Sequence, residues 1–219
     1  MIERVTYTAV QGQTGNSVHT VSHAGGTNNC AIVMIDVRTT FITVSSVTYG
    51  GVAMTELKQV GAGVTDIRYI FGLMNPPQGT QDVVTTLSGV ASMNIGTVTY
   101  SGVSSLDFPN IEGSNRTTTG ECTVSVTTTV DNCVLVGLGS YNGLAANEIA
   151  AGADTTMFSL YNPGTGRNTA MFESDPFDTG TAGSKSMQVT VGGLQELVLV
   201  VVALAPKISS VNFFPFFKP

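Results

Sequence analysis

The chain has 219 residues, of which 42% are hydrophobic and only 11% are charged, and its formal net charge is -6. A chain of this length and apolar content can bury a full core, so folding does not require disulfides or a metal ion. The acidic balance and the lack of any run of basic residues argue against a nucleic-acid partner, because phosphate backbones are bound by clustered Lys and Arg.

The first strands are predicted at residues 4–10 and 17–22, where apolar and hydroxyl side chains alternate. Residues 31–37 are apolar on both faces, which predicts a central strand of a sandwich, with Asp36 and Arg38 lying toward its edge. His19 and His23 are the two histidines, and strand spacing would place them about 13 Å apart. We therefore expect both to be structural side chains and not ligands of one metal ion.

Residues 45–87 carry the two clearest turn signals of the chain. Gly50-Gly51 lies between two extended runs and predicts a β-hairpin, because glycine readily adopts positive φ. The segment NPPQG at 75–79 predicts a second break, since proline cannot donate a hydrogen bond to a strand ladder. Between the two turns, apolar side chains at alternate positions from Ile67 to Leu73 predict a strand with one strongly buried face.

The second half of the chain predicts further strands at residues 92–103, 121–129, 133–138, 155–160, 169–173, 185–191 and 196–205. The last of these is apolar on both faces and is expected to be central. Residues 144–151 are the exception, a short stretch that predicts two turns of helix. About a dozen strands, with a long connection at 102–120, predict an all-β fold: an antiparallel β-sandwich, jelly-roll-like, forming a single domain over residues 1–205.

The three cysteines are Cys30, Cys122 and Cys133, and an odd number leaves at least one thiol outside any disulfide. Cys30 opens an apolar run and is expected to be a small buried hydrophobic side chain. Cys122 and Cys133 flank a predicted hairpin that turns near Asp131-Asn132. In that register Cys133 lies beside the turn and Cys122 near the far end, so we expect no disulfide, although a different register would allow one.

Residues 206–219, PKISSVNFFPFFKP, form an extended aromatic C-terminal tail. Exposed together, Phe213, Phe214, Phe216 and Phe217 would make an apolar patch that a soluble monomer seldom tolerates. One interpretation is that the tail folds back over an open end of its own sandwich. The other, which we favour, is that it is an interaction tail that docks into a neighbouring subunit or a larger shell, because phenylalanines bury enough area to anchor an assembly.

Residue patterns that point to chemistry are sparse. The serines show no nucleophile-elbow pattern, and the carboxylates are scattered, with only a weak calcium pattern at Asp175 and Asp178. No spacing selects a pair of carboxylates for glycoside cleavage. We predict no catalytic residue, no cofactor and no metal. Sugar binding would use aromatic platforms, and the chain has no Trp, so Tyr141 and Tyr161, near predicted turns, are the tyrosines expected at the surface.

Residues 47–55 read VTYGGVAMT, residues 73–80 read LMNPPQGT and residues 100–103 read YSGV. With HTVS at 19–22 and the apolar strand at 31–37, these segments resemble a family of β-sandwich domains of phage structural and bacterial surface proteins, whose pattern runs VTYGGVALT, LxNPPAGT, YSGV. The resemblance covers the first half well and the second half loosely. It departs where the family commonly has a Trp before Asn-Pro, since Tyr69 and Phe71 fill that strand. It implies the fold, and no enzymatic activity is tied to the family.

Together these features predict a non-enzymatic structural protein of a virus or phage particle, either a capsid decoration or a fibre- or tail-associated component. The expected partners are further copies of the chain and a larger shell or fibre, with no nucleic acid and no membrane. Residues 1–5 lack the apolar core of a signal peptide, and the longest apolar run, 197–205, is too short to cross a bilayer as a helix. The expected location is therefore a virion assembled in the host cytoplasm.

Two alternatives remain open. A surface adhesin or carbohydrate-binding module at the cell surface would fit the same charge-poor, Thr-rich composition, with a surface glycan as its partner. A polysaccharide-cleaving enzyme is the less favoured reading.

Overall fold

The structure is a computed structural model that describes residues 1–39, 41–61, 66–106, 114–117, 120–142, 149–163, 167–174, 179–192 and 196–207. Across these ranges all strand pairs are antiparallel, which confirms the all-β sandwich prediction, and no helix occurs that could cross a membrane. The strands are β1 Glu3–Ala24, β2 Cys30–Val37, β3 Val44–Tyr49, β4 Val52–Ala53, β5 Thr55–Val60, β6 Ile67–Met74, β7 Thr80–Ser101, β8 Val103–Leu106, β9 Ser114–Thr117, β10 Glu121–Thr128, β11 Val134–Asn142, β12 Ile149–Ala151, β13 Thr155–Tyr161, β14 Arg167–Ser174, β15 Gly183–Val191 and β16 Glu196–Pro206.

Sheet A is built from the first half of the chain in the order β4-β3-β7-β2-β6-β5, with β1 also paired to β7. β2 lies between β7 and β6, so the prediction that its two apolar faces make it central is confirmed. The hairpin at Gly50-Gly51 is also confirmed. Tyr49 pairs with Val52 across it, and both glycines have positive φ, 56° and 80°.

The two longest strands, β1 and β7, turn back near their middles and stay paired to each other throughout. Glu3 at the start of β1 lies opposite Ser101, and Ala24 at its end lies opposite Thr80. The Thr6 hydroxyl nevertheless donates a 2.5 Å hydrogen bond to the carbonyl of Ala24, so the two ends of β1 meet. Sheet A therefore curls into an almost closed barrel, where the sequence predicted separate strands at 4–10 and 17–22.

The bend in this ribbon lies where its register breaks. The pairing of β1 with β7 shifts between Gln13 and Asn16 and again between Asn16 and Val18, and Gly15 there has φ 71°. Bulges of this kind allow a strand to bend sharply. We call this the bend end of the molecule, formed by residues 13–17, 38, 39, 41–43 and 87–92. The opposite end, where β16 finishes at Pro206, we call the root end.

Two further sheets come from the second half of the chain. Sheet B has the order β13-β14-β11-β16-β8, with β9 also paired to β16, and sheet C has the order β10-β15-β12. β16 lies between β11 on one side and β8 and β9 on the other, so its predicted central position is confirmed.

Three apolar cores separate four layers of strands. One core fills the curled interior of sheet A and includes Val33, Tyr49 and Phe71. A second joins the other face of sheet A to sheet B, and a third joins the far face of sheet B to sheet C. Sheet B is thus buried on both faces, which is why β16 reads as an unbroken apolar run.

Two predicted elements in the second half are wrong. The expected hairpin across Asp131-Asn132 does not form, because β10 pairs with β15 in sheet C while β11 pairs with β14 and β16 in sheet B. The chain crosses from one layer to the next at this turn, so Cys122 lies on β10 of sheet C and Cys133 lies just before β11 of sheet B. The predicted helix at 144–151 also fails within the described residues, since Ile149–Ala151 is a strand paired with β15.

β6 differs from its prediction as well, because both of its faces are buried. Tyr69 and Phe71 point into the interior of sheet A, while Ile70 belongs to the core shared with sheet B. Arg68 on that second face has no exposed surface, and neither does its neighbour Asp36, which the sequence placed toward an edge. The alternation in the sequence showed one buried face but not the layer that covers the other.

Candidate functional site

Two of the three sequence motifs, NPPQG and YSGV, meet at the root end, where hydrogen bonds join segments that are far apart in the chain. Gly25 donates to the carbonyl of Gly79 over 3.1 Å, and Asn75 donates to the carbonyl of Asn29 over 2.8 Å. Asn29 in turn donates its backbone N–H to the carbonyl of Tyr100 over 2.9 Å. The turn at 25–29 is therefore the link between the NPPQG and YSGV segments, and it was not part of either motif.

Side-chain amides complete this link. The Gln78 carboxamide accepts from the N–H of Asn28 and donates to the carbonyl of Asn28, both over 2.9 Å. The Asn29 carboxamide likewise accepts from the N–H of Val103 over 3.2 Å and donates to the carbonyl of the same residue. An amide that pairs with both backbone groups of one residue mimics a strand partner. The backbone groups of Asn28 and Val103 are thereby hydrogen-bonded although they lie at turns.

Gly102 shows why the YSGV segment needs its glycine. Its φ is 74°, and an added Cβ would overlap the backbone of Met1, which lies directly against it. Only glycine adopts this conformation and this approach without strain. The chain start, the end of β7 and the end of β16 are packed together at this point.

The tail begins from this fixed platform. The Lys207 N–H donates to the carbonyl of Gly102 over 2.7 Å, and the Lys207 side chain is exposed. The predicted contact residues Phe213, Phe214, Phe216 and Phe217 lie outside the described residues. The structure describes the chain as far as Lys207, an exposed and hydrogen-bonded residue that immediately precedes the last twelve residues.

His23 closes the barrel just inside the root end. Its Nδ1 is 2.8 Å from the Thr8 hydroxyl, and its Nε2 lies 3.3 Å from the Thr6 hydroxyl and 3.4 Å from that of Thr99. The ring also contacts Tyr49 edge-on, with centroids 5.9 Å apart. Burial among neutral partners lowers the pKa of His23 from 6.5 to about 4. His23, near the end of β1, thus contacts two hydroxyls near the start of the same strand.

Two polar bridges cross the core between sheets A and B. Toward the root end, the Tyr100 hydroxyl donates to the Glu173 carboxylate over 2.6 Å, and Arg4 pairs with the same carboxylate at 2.8 Å. Burial raises the pKa of Glu173, although the hydrogen bond from Tyr100 and the charge of Arg4 oppose that effect. Burial together with the nearby Glu173 charge raises the pKa of Tyr100.

The second bridge lies toward the bend end and is fully buried. The Arg68 guanidinium lies 3.4 Å from a carboxylate oxygen of Asp36 and 3.4 Å from one of Asp66, and it donates to the Ser140 hydroxyl over 2.6 Å. Thr169 donates to Asp36 over 3.0 Å, so both Ser140 and Thr169 of sheet B hold charged groups of sheet A. We call Asp36, Asp66 and Arg68 the ionic triad.

Sequence reasoning missed the ionic triad, although a signal was present. Asp66, directly before β6, and Arg68 are two residues apart and so lie on the same side of an extended chain, and Asp36 interrupts an otherwise apolar run. A charge inside such a run predicts a buried partner of opposite charge. The register places Asp36 directly opposite Arg68, which the sequence alone does not specify.

An aromatic cluster with a cation marks the surface where β1 meets β13. The Arg4 guanidinium carbon lies 4.6 Å from the Phe158 ring centroid and 5.5 Å from that of Tyr7, and Tyr7 is 46% exposed. Of the tyrosines expected at the surface, Tyr141 is fully buried and that expectation is wrong, while Tyr161 is partly buried.

The cysteines and the acidic residues are the remaining candidates from the sequence. All three cysteines are buried, and burial raises the pKa of the Cys30 thiol well above its usual value, so Cys30 is the buried hydrophobic side chain predicted. The described part of the chain brings together no group of three or more His, Cys, Asp or Glu that could hold a metal ion. Asp175 and Asp178 lie outside the described residues.

Comparison of the chain with protein-family models, with curated proteins and with solved structures finds no match in any of the three. The class of the protein is given by its structure alone, which is all-β and sandwich-like. Its resemblance to phage structural and bacterial surface domains stays a prediction.

Proposed function

We propose that the protein is a non-enzymatic structural component of a virus or phage particle, a capsid decoration or a fibre- or tail-associated protein. It would assemble with copies of itself and with a larger shell or fibre, and its location would be the virion. The observation that carries the proposal is the root of the tail. Lys207, which directly follows β16, is still hydrogen-bonded to Gly102 and is exposed, so the described chain reaches the surface six residues before Phe213.

The reasoning from root to assembly is energetic. Phe213, the first phenylalanine of the tail, follows Lys207 by only six residues, so the aromatic side chains start close to a fixed base. The fewer residues that separate an aromatic side chain from a fixed base, the smaller the entropy cost that docking has to overcome. Large aromatic side chains supply most of the affinity in many interfaces.

The test compares the full chain with a variant in which all four tail phenylalanines are replaced by serine (Phe213→Ser, Phe214→Ser, Phe216→Ser, Phe217→Ser). Size-exclusion chromatography with light scattering should give an oligomer for the unchanged chain and a monomer for the variant. The matched control is Val52→Ser, which removes an exposed apolar side chain at the same end of the molecule and should leave the oligomer intact.

If the tail variant lost thermal stability but kept its oligomeric state, the competing interpretation would be supported, in which the tail covers its own sandwich. In that case the tail variant would melt at a lower temperature while its mass stayed unchanged. A monomeric unchanged chain would contradict the structural role itself.

The second candidate function is a surface adhesin or carbohydrate-binding module, and one observation favours it. Tyr7 and Phe158 meet edge to face at 5.5 Å with Arg4 over both rings. Partly exposed aromatic rings beside a hydrogen-bonding cation are the side chains that sugars commonly contact. Binding of the unchanged chain on a glycan array, lost in a Tyr7→Ala variant, would support this function. A blank array would count against it.

A further inference from the structure

Asn94 and Thr169 meet in the core between sheets A and B, beside the ionic triad. The Asn94 carboxamide donates from Nδ2 to the Thr169 hydroxyl oxygen over 2.6 Å, and neither residue has exposed surface. Asn94 belongs to β7 and Thr169 to β14, and the two are 75 residues apart in the chain. A hydroxyl is a nucleophile and a primary carboxamide is an acyl group, so a nucleophile and an acyl group lie in contact in a buried site.

The Thr169 hydroxyl also has a base. It donates to Oδ2 of Asp36 over 3.0 Å, which is within the reach that proton transfer to a general base requires. Asp36 lies directly opposite Asn94 in the ladder of β2 and β7, so one hydroxyl from sheet B can contact both side chains. The Arg68 guanidinium, 3.4 Å from the other oxygen of Asp36, balances the charge of this carboxylate.

A cation lies at the oxygen of the same carboxamide. Arg38 donates from Nη2 to Oδ1 of Asn94 over 2.9 Å. Its backbone N–H donates to the carbonyl of Ser92 over 2.9 Å, which holds Arg38 next to β7. A cationic donor at this distance polarises a carbonyl group and stabilises the negative charge that develops on its oxygen during acyl transfer.

The carbon that such a reaction attacks is Cγ of Asn94, which is bonded to Nδ2. An amide C–N bond is about 1.3 Å long, so Cγ lies within about 3.9 Å of the Thr169 hydroxyl oxygen. Reacting atoms are aligned for attack at about 3–3.5 Å, so a side-chain movement of a few tenths of an ångström is sufficient.

We propose that the chain cross-links itself at this point, through an ester bond between the side chains of Thr169 and Asn94. Oγ1 of Thr169 attacks Cγ of Asn94 while the hydroxyl proton passes to Asp36, and Arg38 stabilises the oxyanion that forms. The C–N bond then breaks, and the nitrogen takes the proton from Asp36 and leaves as ammonia. One carboxamide and one hydroxyl thus give one ester and one ammonia, with no further reactant, and Asp36 is again a carboxylate.

The bond would join sheet A to sheet B covalently. Burial of Asn94, Thr169 and Asp36 keeps bulk water away from the ester and so protects it from hydrolysis. A cross-link between residues this far apart in sequence restricts the unfolded chain and thereby stabilises the folded one. The inference goes beyond the proposed function and does not depend on it.

Mass spectrometry of the denatured full chain tests the proposal. The mass should be lower than that of the sequence by one ammonia, about 17 Da. Trypsin cleaves after Lys and Arg, so Asn94 falls in peptide 69–116 and Thr169 in peptide 168–185. The digest should contain these two peptides joined, and mild base should separate them and leave an aspartate in place of Asn94.

The joined pair distinguishes the ester from other losses of ammonia, because cyclisation of an asparagine within one peptide joins nothing. A chain that keeps its full mass after prolonged incubation in the folded state would overturn the proposal. So would a loss of ammonia without the joined pair.

Two substitutions at Thr169 assign the nucleophile. Thr169→Val removes the hydroxyl and should keep the full mass, whereas Thr169→Ser retains a hydroxyl and should again lose ammonia. The matched control is Thr85→Val, which removes an equally buried hydroxyl elsewhere in sheet A and should cross-link like the unchanged chain. A Thr169→Val chain with the two peptides still joined would overturn the assignment.

The roles of Asp36 and Arg38 are tested by the rate of the reaction. Chain recovered unfolded from inclusion bodies has no cross-link, and its mass is followed after refolding. Asp36→Asn and Arg38→Met should each slow the loss of ammonia at least about tenfold. Arg38 is partly exposed, so its variant is expected to fold, and urea unfolding checks both variants. A folded Arg38→Met chain that cross-links as fast as the unchanged chain would contradict the mechanism.

Discussion

Acidification should destabilise this protein through His23. The ring is buried between the two ends of β1 and contacts the hydroxyls of Thr6 and Thr8. Its pKa is lowered from 6.5 to about 4, so between these values the unfolded chain binds a proton that the folded chain does not. Stability from this residue is therefore fully present above about pH 6.5, falls as the pH drops toward 4, and is lost below that.

The magnitude follows from the size of the shift. Each pH unit within this window changes the free energy of unfolding by about 1.4 kcal/mol. Between about pH 7.5 and pH 4.5, His23 should account for a loss of about 2.5 kcal/mol. Glu173 acts in the opposite direction. Its pKa is raised in the folded protein, so its protonation on acidification stabilises the folded state relative to the unfolded chain. The comparison must therefore be made against a variant that lacks only His23.

The assay is urea unfolding at a series of pH values for the unchanged chain and for His23→Asn, which keeps a hydrogen-bonding atom near the position of Nδ1. The variant should start less stable at neutral pH, and its stability should fall less steeply toward pH 4.5. Parallel curves for the two proteins would refute the reasoning. Nuclear magnetic resonance of the two histidine rings offers an independent value for the pKa.

The remaining predictions concern the ionic triad and one turn. Arg68→Met should lower the free energy of unfolding by about 3–5 kcal/mol, because two buried carboxylates lose their counter-charge. Adding Asp36→Asn and Asp66→Asn to that variant should restore much of the loss, and a triple variant no more stable than Arg68→Met would contradict the charge-based explanation. An alanine in the left-handed conformation costs roughly 1 kcal/mol of the free energy of unfolding. Gly102→Ala should cost well beyond that, because Met1 fills the space that the added Cβ would occupy. Gly15→Ala should cost only that amount, because Gly15 has φ 71° and nothing lies within 4 Å of the added Cβ. Equal losses for the two glycine variants, measured by urea unfolding, would show that the close contact with Met1 does not matter.

Local patterns predicted those parts of the fold that depend on local chemistry. The Gly50-Gly51 hairpin follows from the backbone freedom of two glycines, and the central positions of β2 and β16 follow from apolar residues on both faces. These features need no information about distant residues, because each is decided within a few positions of the chain.

The wrong predictions share a physical cause: long-range packing decides which strands pair with each other. β10 was expected to pair with β11, its neighbour in sequence, but its Cys122, Val124 and Val126 face is buried against sheet B, and β15 completes the layer. The helix expected at 144–151 rested on alanine content, yet Ile149–Ala151 gains more from pairing with β15. Burial of Arg68 required a register that no local rule specifies.

The root end was predictable only in pieces. The turn residues of the two motifs were visible in the sequence, but not that Asn28 and Asn29 would join them or that the tail would begin beside Gly102. Such convergence is a property of the curled sheet, in which both ends of β7 return to the same place.

The central claim is that the phenylalanine-rich tail holds copies of the chain together. Native mass spectrometry of the full-length protein, beside the variant with four serines in the tail, tests it most directly. The account predicts assemblies of two or more copies for the unchanged chain and a single copy for the variant. Assemblies that persist in the variant, or a single copy for both proteins, would contradict it.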